Sequence, residues 1–305
     1  MATDDTTPTS ASLAFGAVAE AYDRGRPGYP REAVAWLTGE QPLTVLELGA
    51  GTGKLTEHLV ALGHDVHATD PDPRMLDRLA LRLPELRVSQ TGAEEIPAAD
   101  ASYDLVVAAV AFEHFDAEKA LPEIARVLKR GGTFAVVRNL RDERIPWVKR
   151  LGNLIGHHTA GAGLHEEIEA SPYFGPSENA SFKQWQVIHR DSVQDLVRSL
   201  PEVAVLERTG QESRLREVLA FYDDFGRGMD GMQLPYVTEC FRAVVGIQPR
   251  TARPEPVAIA APEGATDEPV GEDTVPIGAS TASNLPPAVE PPADDDTGML
   301  LIDFR

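Results

Sequence analysis

Short apolar runs alternate with longer amphipathic segments from Pro42 onward. This alternation is typical of strand–helix–strand units, which build a parallel sheet covered by helices. A continuous apolar run indicates a strand that is buried on both faces. The pattern predicts strands at Thr44–Leu48, Val66–Thr69, around Val88, Tyr103–Ala109, Thr133–Arg138 and Leu234–Ala243, with a further ordered segment at Phe182–Ile188. We therefore expect an α/β domain with a largely parallel sheet and a final antiparallel hairpin strand.

Apolar residues recur at helical spacing between these strands. The predicted helices are Gly53–Leu62, Arg74–Leu83, Glu118–Leu128, Asp191–Leu200 and Glu212–Asp224. The acids and prolines at 70–73 suit the positively polarised start of the second helix, and Gly131 and Gly132 are expected to end the third. The large side chains expected to pack in the core or under a cap are Trp36, Trp147 and Trp185.

The alternation loosens at 141–180, a polar and glycine-rich stretch that is predicted to be a variable cap or insert. The final stretch, 247–305, holds 10 of the 24 prolines and 11 acids against three arginines. A segment of this composition buries too little apolar surface to offset the entropy lost on ordering. We therefore predict a disordered N-terminus at 1–11, one folded domain at 12–246 and a disordered acidic tail at 247–305.

The whole chain has 48 acidic and 28 basic side chains, a formal charge of −20, and the tail contributes −8 of it. This balance argues against a nucleic-acid partner, which requires clustered lysines and arginines. The single cysteine, Cys240, excludes an intrachain disulfide and favours a reducing compartment. The longest apolar run, Leu105–Phe112, is shorter than the ~20 residues that span a bilayer. A cytoplasmic protein without a membrane partner is expected.

Three glycines stand where the first strand turns into a helix, in the segment VLELGAGTGKL at 45–55. Glycine lets the backbone approach a ligand closely, because no Cβ intervenes and positive φ angles are allowed. A phosphate-binding P-loop is not matched, since Leu48 and Leu55 replace its first glycine and its Ser or Thr. The dinucleotide pattern is matched imperfectly, since Gly53 comes one residue early. The remaining interpretation is a nucleoside ligand without a pyrophosphate.

Two carboxylates accompany this turn. Asp70 lies 19 residues after Gly51, at the end of the predicted second strand, where parallel strands share one edge of the sheet. A charged acceptor beside the turn can bind both hydroxyl groups of a ribose. Glu47 lies within an apolar strand, where a carboxylate without donors costs several kcal/mol, so a functional role is favoured over an accident of register.

These motifs resemble the class I S-adenosylmethionine-dependent methyltransferases, and within them the small-molecule methyltransferases of the type 11 domain. The resemblance rests on VLELGAGTGKLT, ATDPDPRML, GAEEIPAADASYDLVVAA and EIARVLKRGGTFAVV, and it extends to FGAVAEAYDRGRPGYP near the start and LPYVTECF near Cys240. It implies a Rossmann-like, seven-stranded and mostly parallel sheet with helices on both faces. It also implies S-adenosyl-L-methionine as the cofactor and methyl transfer to a small-molecule acceptor.

The resemblance further implies a set of cofactor-binding residues. They are Glu47, Gly49, Gly51 and Gly53 around the methionine part, Asp70 at the ribose, Met75, Ala93 and Glu94 around the adenine, and Tyr22 and Arg26 on an N-terminal helix that closes over the cofactor. Arg26 is expected to pair with the cofactor's carboxylate. Gly92 departs from the family pattern, in which a polar residue often precedes the alanine.

Glu113 and His114 follow the fourth strand, at the edge where open α/β folds bind ligands. Because of this position, the pair is expected to supply a base or an acceptor contact. Relatives in the family often have His-Trp here, so this chain differs at the place expected to face the acceptor. A solvated pair at the start of a helix is the alternative. The histidines at 157, 158 and 165 match no zinc motif and are interpreted as loop residues, so no metal site is predicted.

Other functions stay open at this point. The departures at Gly92, Glu113 and His114 also fit a cofactor-binding regulatory or scaffold protein that has no turnover. An NAD-dependent dehydrogenase is the least favoured alternative. The apolar end of the chain, MLLIDFR, follows three aspartates and is a candidate docking motif through which the tail would bind a protein partner.

Overall fold

The computed structural model describes residues 15–156, 164–225 and 231–249. Seven strands form one sheet in the order β3-β2-β1-β4-β5-β7-β6. They are β1 Thr44–Leu48, β2 Asp65–Asp70, β3 Arg87–Gln90, β4 Tyr103–Ala109, β5 Leu128–Arg141, β6 Glu178–Ile188 and β7 Met232–Val244. The strands β1 to β5 pair in parallel, and β7 is antiparallel to both β5 and β6. The predicted Rossmann-like, seven-stranded and mostly parallel sheet is therefore confirmed.

Ten α-helices lie in the described part of the chain. They are α1 Ala19–Gly25, α2 Arg31–Thr38, α3 Thr56–Ala61, α4 Pro73–Arg82, α5 Ala117–Val127, α6 Pro146–Ile155, α7 Leu164–Ala170, α8 Arg190–Arg198, α9 Pro201–Ala204 and α10 Arg208–Phe225. Short 3₁₀ turns occur at Gly16–Val18 and Phe112–His114. None of the described helices combines the length and the apolar character needed to cross a membrane.

The core lies on both faces of the central strands. Leu46 and Val106 pack into one apolar cluster with residues of α5, while Val45 and Leu105 pack into another cluster with residues of α2 and α3. Adjacent residues of one strand point to opposite faces, so strands buried on both sides must be apolar throughout. This requirement explains why β1 and β4 begin and end at the residues that the sequence predicted.

Two predicted features of the secondary structure are wrong. The glycines at 131 and 132 do not end a helix, because α5 already stops at Val127 and β5 runs through both. A Cβ at Gly132 would come 2.9 Å from the carbonyl oxygen of Lys129, so this position has no space for a side chain. The final strand is antiparallel, but it does not form a hairpin, since β7 follows three helices and inserts between β5 and β6.

Other predictions need smaller changes. The helix α3 begins at Thr56 rather than at Gly53, whose φ of 86° is incompatible with a helix. Trp36 and Trp147 are partly buried against apolar clusters, but the prediction for Trp185 is wrong, because it is 59% exposed. The predicted N-terminus at 1–11, the predicted tail at 247–305 apart from 247–249, and His157 and His158 lie outside the described residues. The interpretation of His165 as a loop residue is wrong, because it lies within α7.

Candidate functional site

The glycine turn after β1 has a left-handed backbone at each of its three glycines. Their φ angles are 67° at Gly49, 57° at Gly51 and 86° at Gly53. A Cβ on Gly49 would come 2.4 Å from the Cβ of Ala111, and a Cβ on Gly53 would come 2.3 Å from Leu79 Cδ1. A Cβ on Gly51 would meet nothing within 4 Å. Gly49 and Gly53 are therefore required by packing inside the protein, whereas Gly51 borders open space that a ligand can approach.

Asp70 ends β2 and lies directly beside this turn. Its Oδ2 accepts a hydrogen bond from the N–H of Gly51 at 2.9 Å, and its Oδ1 accepts one from the N–H of Asp72 at 2.9 Å. Burial raises the pKa of Asp70 to about 6, and the two N–H donors limit that rise. A carboxylate has about four acceptor positions, so two remain for a ligand. The parallel register of β1 and β2 thus places an ionisable acceptor at the glycine turn, as the sequence predicted.

Glu47 is fully buried within β1, and neither of its carboxyl oxygens has a hydrogen-bond partner. Burial raises its pKa to about 8. The hydroxyl of Thr56 lies close enough to oppose this rise in pKa, yet it forms no well-aligned hydrogen bond, and neither does the hydroxyl of Thr52. Three unsatisfied polar side chains at one turn are unusual in a folded core. This cluster fits a polar ligand that would supply the missing partners.

The residues predicted near the adenine flank the same edge of the sheet. Met75 is buried in the first turn of α4, and Ala93 is buried in the apolar cluster that contains Leu46 and Phe112. Glu94 Oε1 accepts a hydrogen bond from the N–H of Asp116 at 3.0 Å. Glu94 is therefore occupied in positioning the loop that precedes α5.

Tyr22 and Arg26 lie on and just after α1, near the glycine turn. The Arg26 guanidinium lies 5.4 Å from the centre of the Tyr22 ring. It also donates to Oγ and to the carbonyl oxygen of Ser199, at 2.9 and 3.1 Å. Burial raises the pKa of Tyr22, the charges of Asp70 and Glu113 raise it further, and Arg26 opposes the rise. The structure therefore brings four of the predicted residues into one electrostatic environment.

Sequence reasoning missed the side chains that hold α1 in place. Arg24 forms a two-pronged ion pair with Asp195 of α8, at 2.8 and 3.1 Å. The connection between α1 and α2 is held by amides from the sheet. Gln186 donates to the carbonyl oxygen of Gly25 at 2.8 Å, and Asn139 and Gln184 donate to that of Gly28 at 2.9 and 3.1 Å. The available signal was the pair of glutamines at alternate positions of the segment Phe182–Ile188.

Glu113 and His114 belong to the 3₁₀ turn Phe112–His114, which follows β4 after two residues. His114 Nε2 lies 3.7 Å from Glu113 Oε1, and the His114 ring lies 5.6 Å from the ring of Phe15. Both side chains are partly exposed. They can therefore exchange protons with solvent or with a ligand at this edge, while Glu47 is sealed beneath it.

A buried cation also lies at this edge and was not predicted. Arg141 ends β5 opposite Tyr236 of β7, and its side chain is 1% exposed. Burial and the nearby charge of Arg26 lower its pKa, whereas Glu143, 3.8 Å away, opposes this effect. Burial raises the pKa of Tyr236 to about 12. The neutral phenol of Tyr236 therefore lies near two arginines, Arg141 and Arg26, on the β5 and β7 side of the sheet edge.

Comparisons with known proteins identify the family of this chain. The family described as "Methyltransferase domain" matches residues 46–136, which include the glycine turn and Asp70. An uncharacterized methyltransferase of Mycobacterium tuberculosis is 40% identical over 237 residues, covering 77% of this chain and 96% of that protein. An uncharacterized methyltransferase of Schizosaccharomyces pombe is 32% identical over 210 residues, covering 65% of this chain and 84% of that protein.

A solved structure supports the same family. A protein assigned as a type II methyltransferase from Anaeromyxobacter dehalogenans superposes with a TM-score of 0.53 at 26% identity, over 74% of this chain and 99% of that one. The strand order, the antiparallel β7 and the glycine turn closed by an acid at the end of β2 occur here together. The chain belongs to the class I S-adenosylmethionine-dependent methyltransferases.

Proposed function

We propose that this protein binds S-adenosyl-L-methionine at the glycine turn and transfers its methyl group to a small-molecule acceptor. The observation that carries the proposal is the turn itself, where Gly51 borders open space and its N–H is held by Asp70. In this proposal Asp70 binds the ribose hydroxyls, and Glu47 binds the methionine part. Glu47 fits that role because its carboxyl group is buried without a partner.

The cofactor, when bound, supplies a methyl group that is already activated by a positively charged sulfur. The tasks left to the protein are to orient the acceptor, to exclude water and to receive a proton where the acceptor carries one. The α1 helix, tied to α8 and to the sheet, would exclude water from the turn. Glu113 and His114 are the proposed proton acceptors, because they lie at the carboxyl edge of β4 and are partly exposed.

The way α1 is held supports a small acceptor over a macromolecular one. Ion pairs join it to α8 through Arg24 and Asp195, and to α4 through Asp23 and Arg82. Fastened on two sides, α1 would act as a cap that restricts the approach to the edge of the sheet. The formal charge of −20 also disfavours a nucleic-acid acceptor.

Two measurements test the proposal. Calorimetric titration of the full chain with S-adenosylmethionine should show one site per chain. Incubation with methyl-labelled cofactor and a metabolite extract should then yield a labelled small molecule. Absence of binding at millimolar cofactor would reject the cofactor assignment. Binding without transfer to any metabolite would support a regulatory protein instead.

Replacing Gly51 by alanine should weaken cofactor binding by about tenfold or more, because the new methyl group would occupy the space beside the turn. The left-handed backbone should also cost about 1 kcal/mol of stability. Gly63→Ala is the matched control, since Gly63 has a φ of 87° and also has nothing within 4 Å of an added Cβ. Both variants should lose similar stability in urea unfolding, but only Gly51→Ala should lose affinity. Equal affinities in the two variants would contradict the assignment.

A further inference from the structure

The strand β6 is one edge of the sheet and is 11 residues long, from Glu178 to Ile188. It pairs with β7 in an unbroken antiparallel register. Within the described residues, no strand pairs with its other side. The opposite edge of the sheet, β3, has only four residues. An edge strand of this length offers a long row of main-chain donors and acceptors to another chain.

The side chains of β6 alternate between two different environments. Gln184 and Gln186 point toward the connection between α1 and α2, where they bind the carbonyl oxygens of Gly28 and Gly25. On the other face, the exposed side chains are Ser181, Lys183, Trp185 and Val187. Trp185 is 59% exposed and Val187 is 48% exposed. This second face is therefore open to solvent, and its two apolar side chains, Trp185 and Val187, lie toward the end of the strand.

The usual protections against edge pairing are few in this strand. Proline, a bulge, and several charges are the common devices. Between 179 and 188 there is no proline and no break in register, and Lys183 is the single charged residue. A long, regular and partly apolar edge is the kind that another strand completes.

We propose that a second copy of this chain pairs with β6 in an antiparallel arrangement, with the two-fold axis at Gln184. In this register, Lys183 lies opposite Trp185 of the second copy, which gives a cation–π pair on each side of the axis. An axis at Lys183 would instead place the two lysines opposite each other, which is destabilising. The position of Lys183 therefore favours the axis at Gln184 over the axis at Lys183.

Pairing at β6 would also support the cap over the candidate site. The same strand that would pair outward holds Gly25 and Gly28 through its inward amides. A dimer would extend the sheet through both copies and make that support more rigid. Each copy would keep a complete glycine turn, so the pairing would not depend on the proposed activity.

Disulfide trapping can test the register, because Cys240 is the single cysteine and is buried. In the proposed pairing, position 181 lies directly opposite position 187 of the second copy. Directly opposite Cα atoms are about 4.5–5.5 Å apart, within the range of a disulfide. Ser181→Cys with Val187→Cys in one chain should therefore give a covalent dimer on mild oxidation. Either substitution alone should not, since equivalent positions lie six residues apart along the strand, roughly 20 Å.

The oligomeric state provides the second test. Light scattering of the unmodified full chain at micromolar concentration should give twice the monomer mass of 33.0 kDa. Lys183→Glu should weaken the dimer by about tenfold or more, because it removes two cation–π pairs, while its thermal unfolding as a monomer should be unchanged. A monomeric wild-type chain would overturn the proposal, whether the edge is bare or covered by another part of the chain. Equal cross-linking of the single and double cysteine variants would overturn the register.

Discussion

Replacing Asp70 by alanine should weaken S-adenosylmethionine binding by about tenfold or more. A charge-assisted hydrogen bond is worth roughly 1.5–3 kcal/mol, and the variant would lose the carboxylate proposed to bind the ribose hydroxyls. Asp65→Ala is the matched control, because it removes the same charge from the exposed start of the same strand. Calorimetric titration should show the loss in Asp70→Ala and an unchanged dissociation constant in Asp65→Ala. An unchanged constant in Asp70→Ala would refute the ribose assignment.

Asp70→Asn separates a loss of charge from a loss of structure. Asp70 also holds the N–H groups of Gly51 and Asp72, so alanine could weaken binding by loosening the turn. Asparagine keeps an oxygen acceptor but cannot ionise. The pKa of Asp70 is raised to about 6, so wild-type affinity should fall as the pH drops through about 6 and the carboxylate becomes neutral. This fall should be absent in Asp70→Asn, and its persistence would assign it to another group.

The position of Asp70 shows which part of the site could be predicted from sequence. The register of β1 and β2 aligns Leu48 with Thr69, so the acid that follows must lie beside the glycine turn. Such placement follows from parallel pairing and needs no knowledge of distant residues. The same holds for β1 and β4, whose apolar runs have definite ends because both of their faces are buried.

The position of α1 over the candidate site could not be derived in the same way, because its contacts join residues far apart in sequence. Arg26 binds Ser199, and Gly25 is held by Gln186, so each contact depends on how α8 and β6 are arranged in space. The prediction that Trp185 is buried was wrong for a related reason. Its alternation is regular for a strand with one buried face, but sequence does not say whether a helix covers the other face. Local periodicity therefore predicted the elements better than it predicted their partners.

The carboxyl group of Glu47 should make the stability of the ligand-free protein fall as pH rises. Its pKa is raised from 4.5 to about 8 by burial, so the folded state holds a proton that the unfolded state has already released. Below pH 4.5 both states are protonated and nothing is lost. Between about pH 4.5 and 8 the free energy of unfolding falls progressively, by about 1.4 kcal/mol for each pH unit. The loss is complete once the folded carboxyl group ionises.

Glu47→Gln should therefore stabilise the ligand-free protein by several kcal/mol at pH 8 and flatten its stability between pH 5 and 8, because glutamine is neutral in both states. Urea unfolding at several pH values would measure this, with Glu32→Gln, an exposed acid on α2, as the control. The same variant should bind S-adenosylmethionine more weakly, since it loses the carboxylate proposed to bind the methionine part. A gain in stability together with a loss of affinity is the behaviour of a group retained for binding at the expense of folding. If Glu47→Gln is instead destabilising at pH 8, Glu47 is a structural acid with partners in the folded state, and its proposed role at the cofactor is wrong.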